Sequence, residues 1–205
     1  MATDEPTFRR RSVLAGAGLL AARSAEALAD APKPRVAIRT NHGTITVELE
    51  DKRAPITSAN FLHYVDTKLY DGGLFYRASR TPGAPKEGTI VGGPSRKVHP
   101  YPPIPHESTT KTGLRHRTGT ISVGRYAPGT ATADFFICMG DQSFLDAHPG
   151  AKGDNLGFAA FGQVVEGLNV VRAILAAPTP GKSAFPDMKG QWLEPTIPIV
   201  TMRRT

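Results

Sequence analysis

The stretch LFYRAS, residues 74–79, places the guanidinium of Arg77 directly after Leu74, Phe75 and Tyr76. On a regularly alternating strand Leu74 and Tyr76 face one way and Phe75 and Arg77 the other. Arg77 then reads either as a solvated side chain or as a cation set among aromatics for a purpose. The other chemistry-bearing residues narrow the field. The six histidines, His42, His63, His99, His106, His116 and His148, show no HxH or HExxH spacing, and most fall in polar or proline-rich stretches. They read as surface histidines, and no metal site is expected. Cys138 is the single cysteine and lies inside FFICM, so it reads as an inert core thiol, unable to form an intramolecular disulfide or a multi-cysteine zinc site. No G-x-S-x-G elbow supports a serine hydrolase, and the glycine pairs at 72–73 and 92–93 lack a phosphate-cradling pattern. What remains is an arginine among aromatics.

A chain of 205 residues with 40% hydrophobic and 21% charged content fits one globular domain with a proper core. The net charge is +7, but the basic residues are scattered in short pieces, so nucleic acid is not an expected partner. The first 29 residues read as an export signal outside the fold. Arg9, Arg10 and Arg11 precede an apolar stretch from Val13 to Ala22, and Ala27-Leu28-Ala29 offers a small-residue cleavage pattern. The apolar stretch is too short for a permanent membrane anchor. Arg10-Arg11-Ser12-Val13-Leu14 resembles a twin-arginine signal, the alternative being a basic general-secretion signal. Either route implies a periplasmic or secreted protein with no membrane attachment after cleavage. Residues 30–34 read as a short linker and residues 35–205 as the domain.

The elements that must position Arg77 follow from periodicity. RVAIRT and TITVELE are two alternating β-branched runs around a turn with Asn41 and Gly43, a hairpin signal. Pro55 opens a helix with Phe61, Leu62, Val65 and Leu69 on one face, Thr57 or Ser58 as its cap and Gly72-Gly73 as its stop. Short strands are expected at 74–77, 89–92, 119–123, 135–139 and 158–165, and a second helix between Gly167 and Pro178. TIPIVTM supplies a last strand, with Pro198 suggesting a sheet edge. Many short strands point to a sandwich or closed barrel.

Six stretches converge on one family. HGTITVELEDKRAPITSANFLHYV, LYDGGLFYRAS, GTIVGG, GTISV, ADFFICMGDQSFLD and GFAAFGQVVEGLNVVRAI resemble, in order and spacing, the cyclophilin family of peptidyl-prolyl isomerases. GFAAFG and GQWLEP look most like bacterial members. The resemblance implies a mainly β fold, a closed eight-stranded antiparallel barrel capped by two helices. It implies cis-trans isomerisation of X-Pro bonds in proline-containing polypeptide segments of exported proteins, by a monomer that needs no cofactor. Arg77 falls at the family's catalytic arginine. An X-Pro bond rotates slowly because amide resonance sets a barrier of about 18–20 kcal/mol. A guanidinium that hydrogen-bonds the prolyl nitrogen better in the twisted state than in the planar one lowers that barrier.

By the same resemblance Phe136 and Leu145 are walls of the proline pocket. Phe144 stands where the family has tryptophan, Phe158 where it has histidine, and Gly124 and Arg125 where a small residue and an asparagine line the peptide groove. The stretch from Arg77 to Gly92-Gly93 is longer than usual, and Gly88, Thr89 and Val91 replace the customary phenylalanine, methionine and glutamine. Asp134 replaces a second glutamine and is expected to form a surface salt bridge, to pair with Arg125 or Arg77, or to select a basic peptide. These departures leave a second reading open, a catalytically weak module that binds proline-containing peptides. A barrel carrying a small ligand is a third, favoured by the fold alone.

Overall fold

The computed structural model describes residues 32–183 and 185–205, so the export signal and the first linker residues lie outside the described residues. The described residues form eight strands: β1 Arg35–Thr40, β2 Gly43–Leu49, β3 Gly73–Thr81, β4 Ala84–Gly93, β5 Thr120–Val123, β6 Phe135–Met139, β7 Ala159–Glu166 and β8 Trp192–Arg204. They close into an antiparallel barrel in the order β1-β2-β7-β5-β6-β4-β3-β8. Closure removes both sheet edges, which is how an all-antiparallel sheet avoids exposing unpaired backbone. Pro198 is therefore not on an edge strand. Its neighbour β1 ends at the Thr40–Ile199 pair, so only β3 lies beside Pro198, opposite Leu74.

Among the described residues the α-helices are α1 Pro55–Asp66, a single turn α2 Thr109–Thr112 that periodicity could not reveal, and α3 Leu168–Ala176. α1 and α3 send apolar faces into the same core: Phe61, Leu62 and Val65 from one, Val170, Val171, Ile174 and Leu175 from the other. The Phe61 ring lies 5.3 Å from Tyr70, 5.8 Å from Phe135 and 5.2 Å from Phe161, so the barrel is filled by interlocked aromatics. The cap of α1 differs from expectation. Thr57 and Ser58 are buried inside the helix, and the free backbone amides of Ile56 and Thr57 donate instead to the Glu107 carboxylate at 3.1 and 2.7 Å. A carboxylate at a helix N-terminus also complements the macrodipole, which is why a distant loop can serve as the cap. Nor do Gly72-Gly73 stop the helix. It ends at Thr67, and Lys68 takes the left-handed turn at φ 60°.

The lengthened stretch after Arg77 is spent on the barrel wall. β3 and β4 run on beyond the expected strand ends, pairing Ala78 with Ile90, Ser79 with Thr89 and Arg80 with Gly88 before turning between Thr81 and Ala84. Arg80 ties this extension to the end of α3, donating to the Ala177 carbonyl and, at 3.1 Å, to the Thr179 hydroxyl.

Candidate active site

Strict alternation fails on β3, and the failure makes the site. The register shifts between Phe75 and Arg77 against both neighbours: Phe75 pairs with Gly92 and Ile197, whereas Arg77 pairs with Val91 and Trp192. Tyr76 is the extra residue of a β-bulge, and a bulge re-aims the side chains that follow it. Phe75 and Ala78 are buried in the core, and Arg77 does not share that face but is half-buried outside it.

Cross-strand register then lays out one row: Trp192 on β8, Arg77 on β3, Val91 on β4, Phe136 on β6 and Ser122 on β5. Two strand spacings separate Arg77 from Phe136, about 10 Å between backbones, which is room for a five-membered ring between a guanidinium and a phenyl face. Phe136 is buried yet stands apart from the inner core to which its neighbours Phe135 and Ile137 belong. Its ring meets Phe158 edge-on at 5.3 Å and stacks on His116 at 5.8 Å and 18°. Phe158 in turn donates its backbone N–H to the Leu145 carbonyl at 2.9 Å, bringing half-buried Leu145 alongside. Phe144, one residue earlier in the Ser143–Leu145 3-10 turn, is 68% exposed.

Arg77 donates from Nε and Nη2 to the side-chain carbonyl of Gln191, at 2.8 and 2.6 Å, and no described residue accepts from its Nη1. Burial lowers its pKa, with the Tyr76 phenol opposing, but a guanidinium keeps its proton in a protein. Tyr76 stacks on Trp192 at 5.6 Å and 23°, and its phenol and the Asp134 carboxyl each influence the other's ionisation. Asp134 is exposed at its rim, but its carboxyl tucks over Gly93, where a Cβ would collide with it. Loss of water there raises the Asp134 pKa, an effect that the Tyr76 phenol opposes. Burial likewise raises the Tyr76 pKa.

Asp134 pairs with neither Arg125 nor Arg77, and among the described residues it forms no salt bridge. Its backbone carbonyl instead accepts from Gly124 at 2.7 Å, fixing Gly124 beside it. Arg125 is committed elsewhere: it holds Asp154 in a two-pronged pair at 2.6 and 2.9 Å, donates to the Gly157 and Tyr126 carbonyls, and lies 5.0 Å over the Phe158 ring. With its side chain only 2% exposed, Arg125 braces Phe158 and does not offer free charge to a groove.

Below Phe136 lies a buried polar chain. Asp146 accepts from the backbone N–H and Nδ1 of His116 at 3.0 and 2.7 Å, and Nε2 of His116 lies 3.0 Å from the Ser122 hydroxyl. Burial lowers the His116 pKa despite Asp146, so the ring is neutral, with Nδ1–H facing the carboxylate and Nε2 accepting from Ser122. His116 is thus no surface histidine. Sequence reading assigned no role to Gln191, Tyr76, Trp192, His116, Ser122 or Asp146. GQWLEP and ADFFICMGDQSFLD carried Gln191, Trp192 and Asp146 inside family landmarks, but nothing in the chain announces that Gln191 meets a residue 114 positions away.

Among the described residues no group of three or more His, Cys, Asp or Glu side chains is placed to hold a metal ion. The model of the family described as cyclophilin type peptidyl-prolyl cis-trans isomerase/CLD matches residues 35–203. A peptidyl-prolyl cis-trans isomerase A from Dickeya dadantii is 32% identical over 175 residues, covering 85% of each chain. A peptidyl-prolyl cis-trans isomerase from Acinetobacter baylyi is 34% identical over 173 residues, covering 84% of this chain and 85% of its own. A crystal structure of a Cryptosporidium parvum cyclophilin superposes with a TM-score of 0.62 at 19% identity, over 84% of this chain and 98% of that one, a likeness of fold. Barrel closure, the bulged arginine strand and these matches agree: the chain belongs to the cyclophilin-type peptidyl-prolyl cis-trans isomerases.

Proposed function

We propose that this cyclophilin catalyses X-Pro isomerisation in exported proteins, with Arg77 stabilising the twisted bond and Phe136 gripping the proline ring. The observation that carries the reading is the state of Arg77. Its guanidinium is oriented by a neutral acceptor, so its charge is not cancelled, and its Nη1 is left without a partner among the described residues. Rotation about the bond localises the lone pair on the prolyl nitrogen, and a donor placed there binds the rotating state more tightly than either planar one. Phe136, braced by Phe158 and His116, supplies an apolar wall that excludes competing water. Leu145 and Phe144 extend that wall, and Gly124 and Asp134 line the adjoining groove. No acid, base or nucleophile has to act.

Two-dimensional exchange NMR on an Ala-Pro peptide, with the mature domain and with Arg77→Ala, tests the assignment. Wild type accelerates exchange, and the variant loses about 100- to 1000-fold, the usual cost of one preorganised donor. Undiminished exchange in the variant would overturn the role of Arg77. The second reading, a peptide-binding module with little turnover, is favoured by Val91 and Asp134 standing where groove amides are expected. Shift perturbation of the peptide without accelerated exchange by wild type would establish it. For export, Arg10-Arg11→Lys-Lys is expected to strand unprocessed precursor in the cytoplasm, and normal processing would argue for the general secretory route.

A further inference from the structure

We infer that Gln191, just ahead of β8, is the positioning residue of Arg77. The inference rests on the catalytic reading of Arg77 given above. Val91 and Trp192 are the register partners of Arg77 on its two sides. The Val91 side chain carries no hydrogen-bonding group, so this register partner on β4 does not orient the guanidinium. On the β8 side, Gln191 immediately precedes Trp192 and accepts from both Nε and Nη2 with one oxygen.

Besides its own backbone N–H, which donates to the Met188 carbonyl at 3.3 Å, three contacts hold Gln191 in place. Its backbone carbonyl accepts from the N–H of Ala78 at 2.8 Å, locking it to the residue after the arginine. Its side-chain Nε2 donates to the Asp187 carbonyl at 3.1 Å. That second bond decides which end of the amide faces Arg77, because an NH2 group directed at a guanidinium would oppose donor to donor. The third is the fork to Arg77 itself. Asp187 belongs to the Pro186–Met188 3-10 turn, so the segment linking α3 to β8 acts as a strap that delivers an oxygen to the catalytic side chain.

The amide is the chemically suitable choice. It fixes the guanidinium through Nε and one Nη, leaving the other Nη to meet the prolyl nitrogen, and adds no charge. A carboxylate in the same place would orient Arg77 equally well but form an ion pair that competes with the substrate. An alkyl side chain would leave the charge intact and the long arginine free to sample other rotamers.

The test compares wild type with Arg77→Ala, Gln191→Leu, Val91→Gln/Gln191→Leu and Gln191→Glu, using exchange NMR with an Ala-Pro peptide. Gln191→Leu is expected to lower kcat by about 10- to 100-fold, the range for a misplaced catalytic group, with KM little changed. Val91→Gln in that background returns an amide from the opposite strand and recovers most of the loss, which repair of a merely structural defect at β8 would not do. Gln191→Glu is impaired at neutral pH and regains kcat relative to wild type as the pH falls and the new carboxyl protonates. Full kcat in Gln191→Leu beside an inactive Arg77→Ala would overturn this inference alone. An Arg77→Ala variant as active as wild type would overturn the catalytic reading beneath it. Loss in Gln191→Leu with neither rescue by Val91→Gln nor a pH-dependent Gln191→Glu would assign Gln191 to folding of the strap and also refute the inference.

Discussion

His116→Ala removes the centre of the buried chain beneath Phe136, and its cost can be worked from the contacts. The Asp146 carboxylate, 3% exposed, loses its 2.7 Å bond from Nδ1, a bond to a charged group worth about 1.5–3 kcal/mol. The Ser122 hydroxyl loses its acceptor at 3.0 Å in a fully buried setting, a penalty of about 1–3 kcal/mol. The vacated ring space and the lost stack on Phe136 add about 1 kcal/mol. A loss of about 5 kcal/mol is expected, a shift of roughly 2.5 M in a urea midpoint for m near 2 kcal/mol/M. His116→Asn is the informative companion, because its amide nitrogen can replace Nδ1 toward Asp146 while abandoning Ser122. It is expected to lose about 2 kcal/mol, and Ser122→Ala should cost little more in that background.

The pH dependence gives a second reading of the same variants. The folded-state pKa of His116 is depressed by burial, so the native ring resists a proton that the unfolded chain accepts below about pH 6.5. The stability contributed by keeping this ring neutral is complete above that pH and is lost as the pH falls toward the depressed folded value, by at most about 1.4 kcal/mol per pH unit. His116→Asn carries no such proton, so the stability gap between wild type and the variant should narrow from about pH 7.5 to about pH 5. A gap that stays constant, or a His116→Ala loss below about 1 kcal/mol, would refute a neutral, doubly bonded His116.

Two further outcomes follow from burial and close approach. Cys138 is fully buried at the middle of β6 and its thiol pKa is raised by desolvation, so iodoacetamide should leave the native protein unlabelled and react fully in denaturing guanidinium chloride. Native-state labelling at the rate of a free thiol would contradict that placement. Gly73→Ala would set a Cβ 2.9 Å from the Tyr70 carbonyl oxygen and 3.2 Å from the Pro94 Cα, and closer still to the Gly93 carbonyl. These are backbone atoms that cannot swing aside, so a loss of about 3 kcal/mol and a Tm lower by roughly 10 °C are expected in a thermal melt. An unchanged Tm would mean that β3 and β4 are less closely apposed at their first pair.

The local pattern of the chain was enough for the eight strands, the two longer helices and the family. Alternating β-branched runs at 35–49, the apolar spacing of Phe61, Leu62 and Val65, and the Gly167-to-Pro178 bracket each encode structure within a few residues, because strand and helix periods are local properties of the backbone. The family landmarks led to Arg77 and Phe136 for the same reason. What the order of residues could not express was which distant groups satisfy one another. Strict alternation would have sent Arg77 inward with Phe75, and only pairing with β4 and β8 together creates the bulge that turns it out. The cap of α1 comes from Glu107, the pairing of Arg125 from Asp154, and the grip on Arg77 from Gln191. Each is a choice among polar partners far apart in the chain. Barrel closure makes that choice by fixing which side chains share a buried surface, where an unpaired donor or acceptor is too costly to keep.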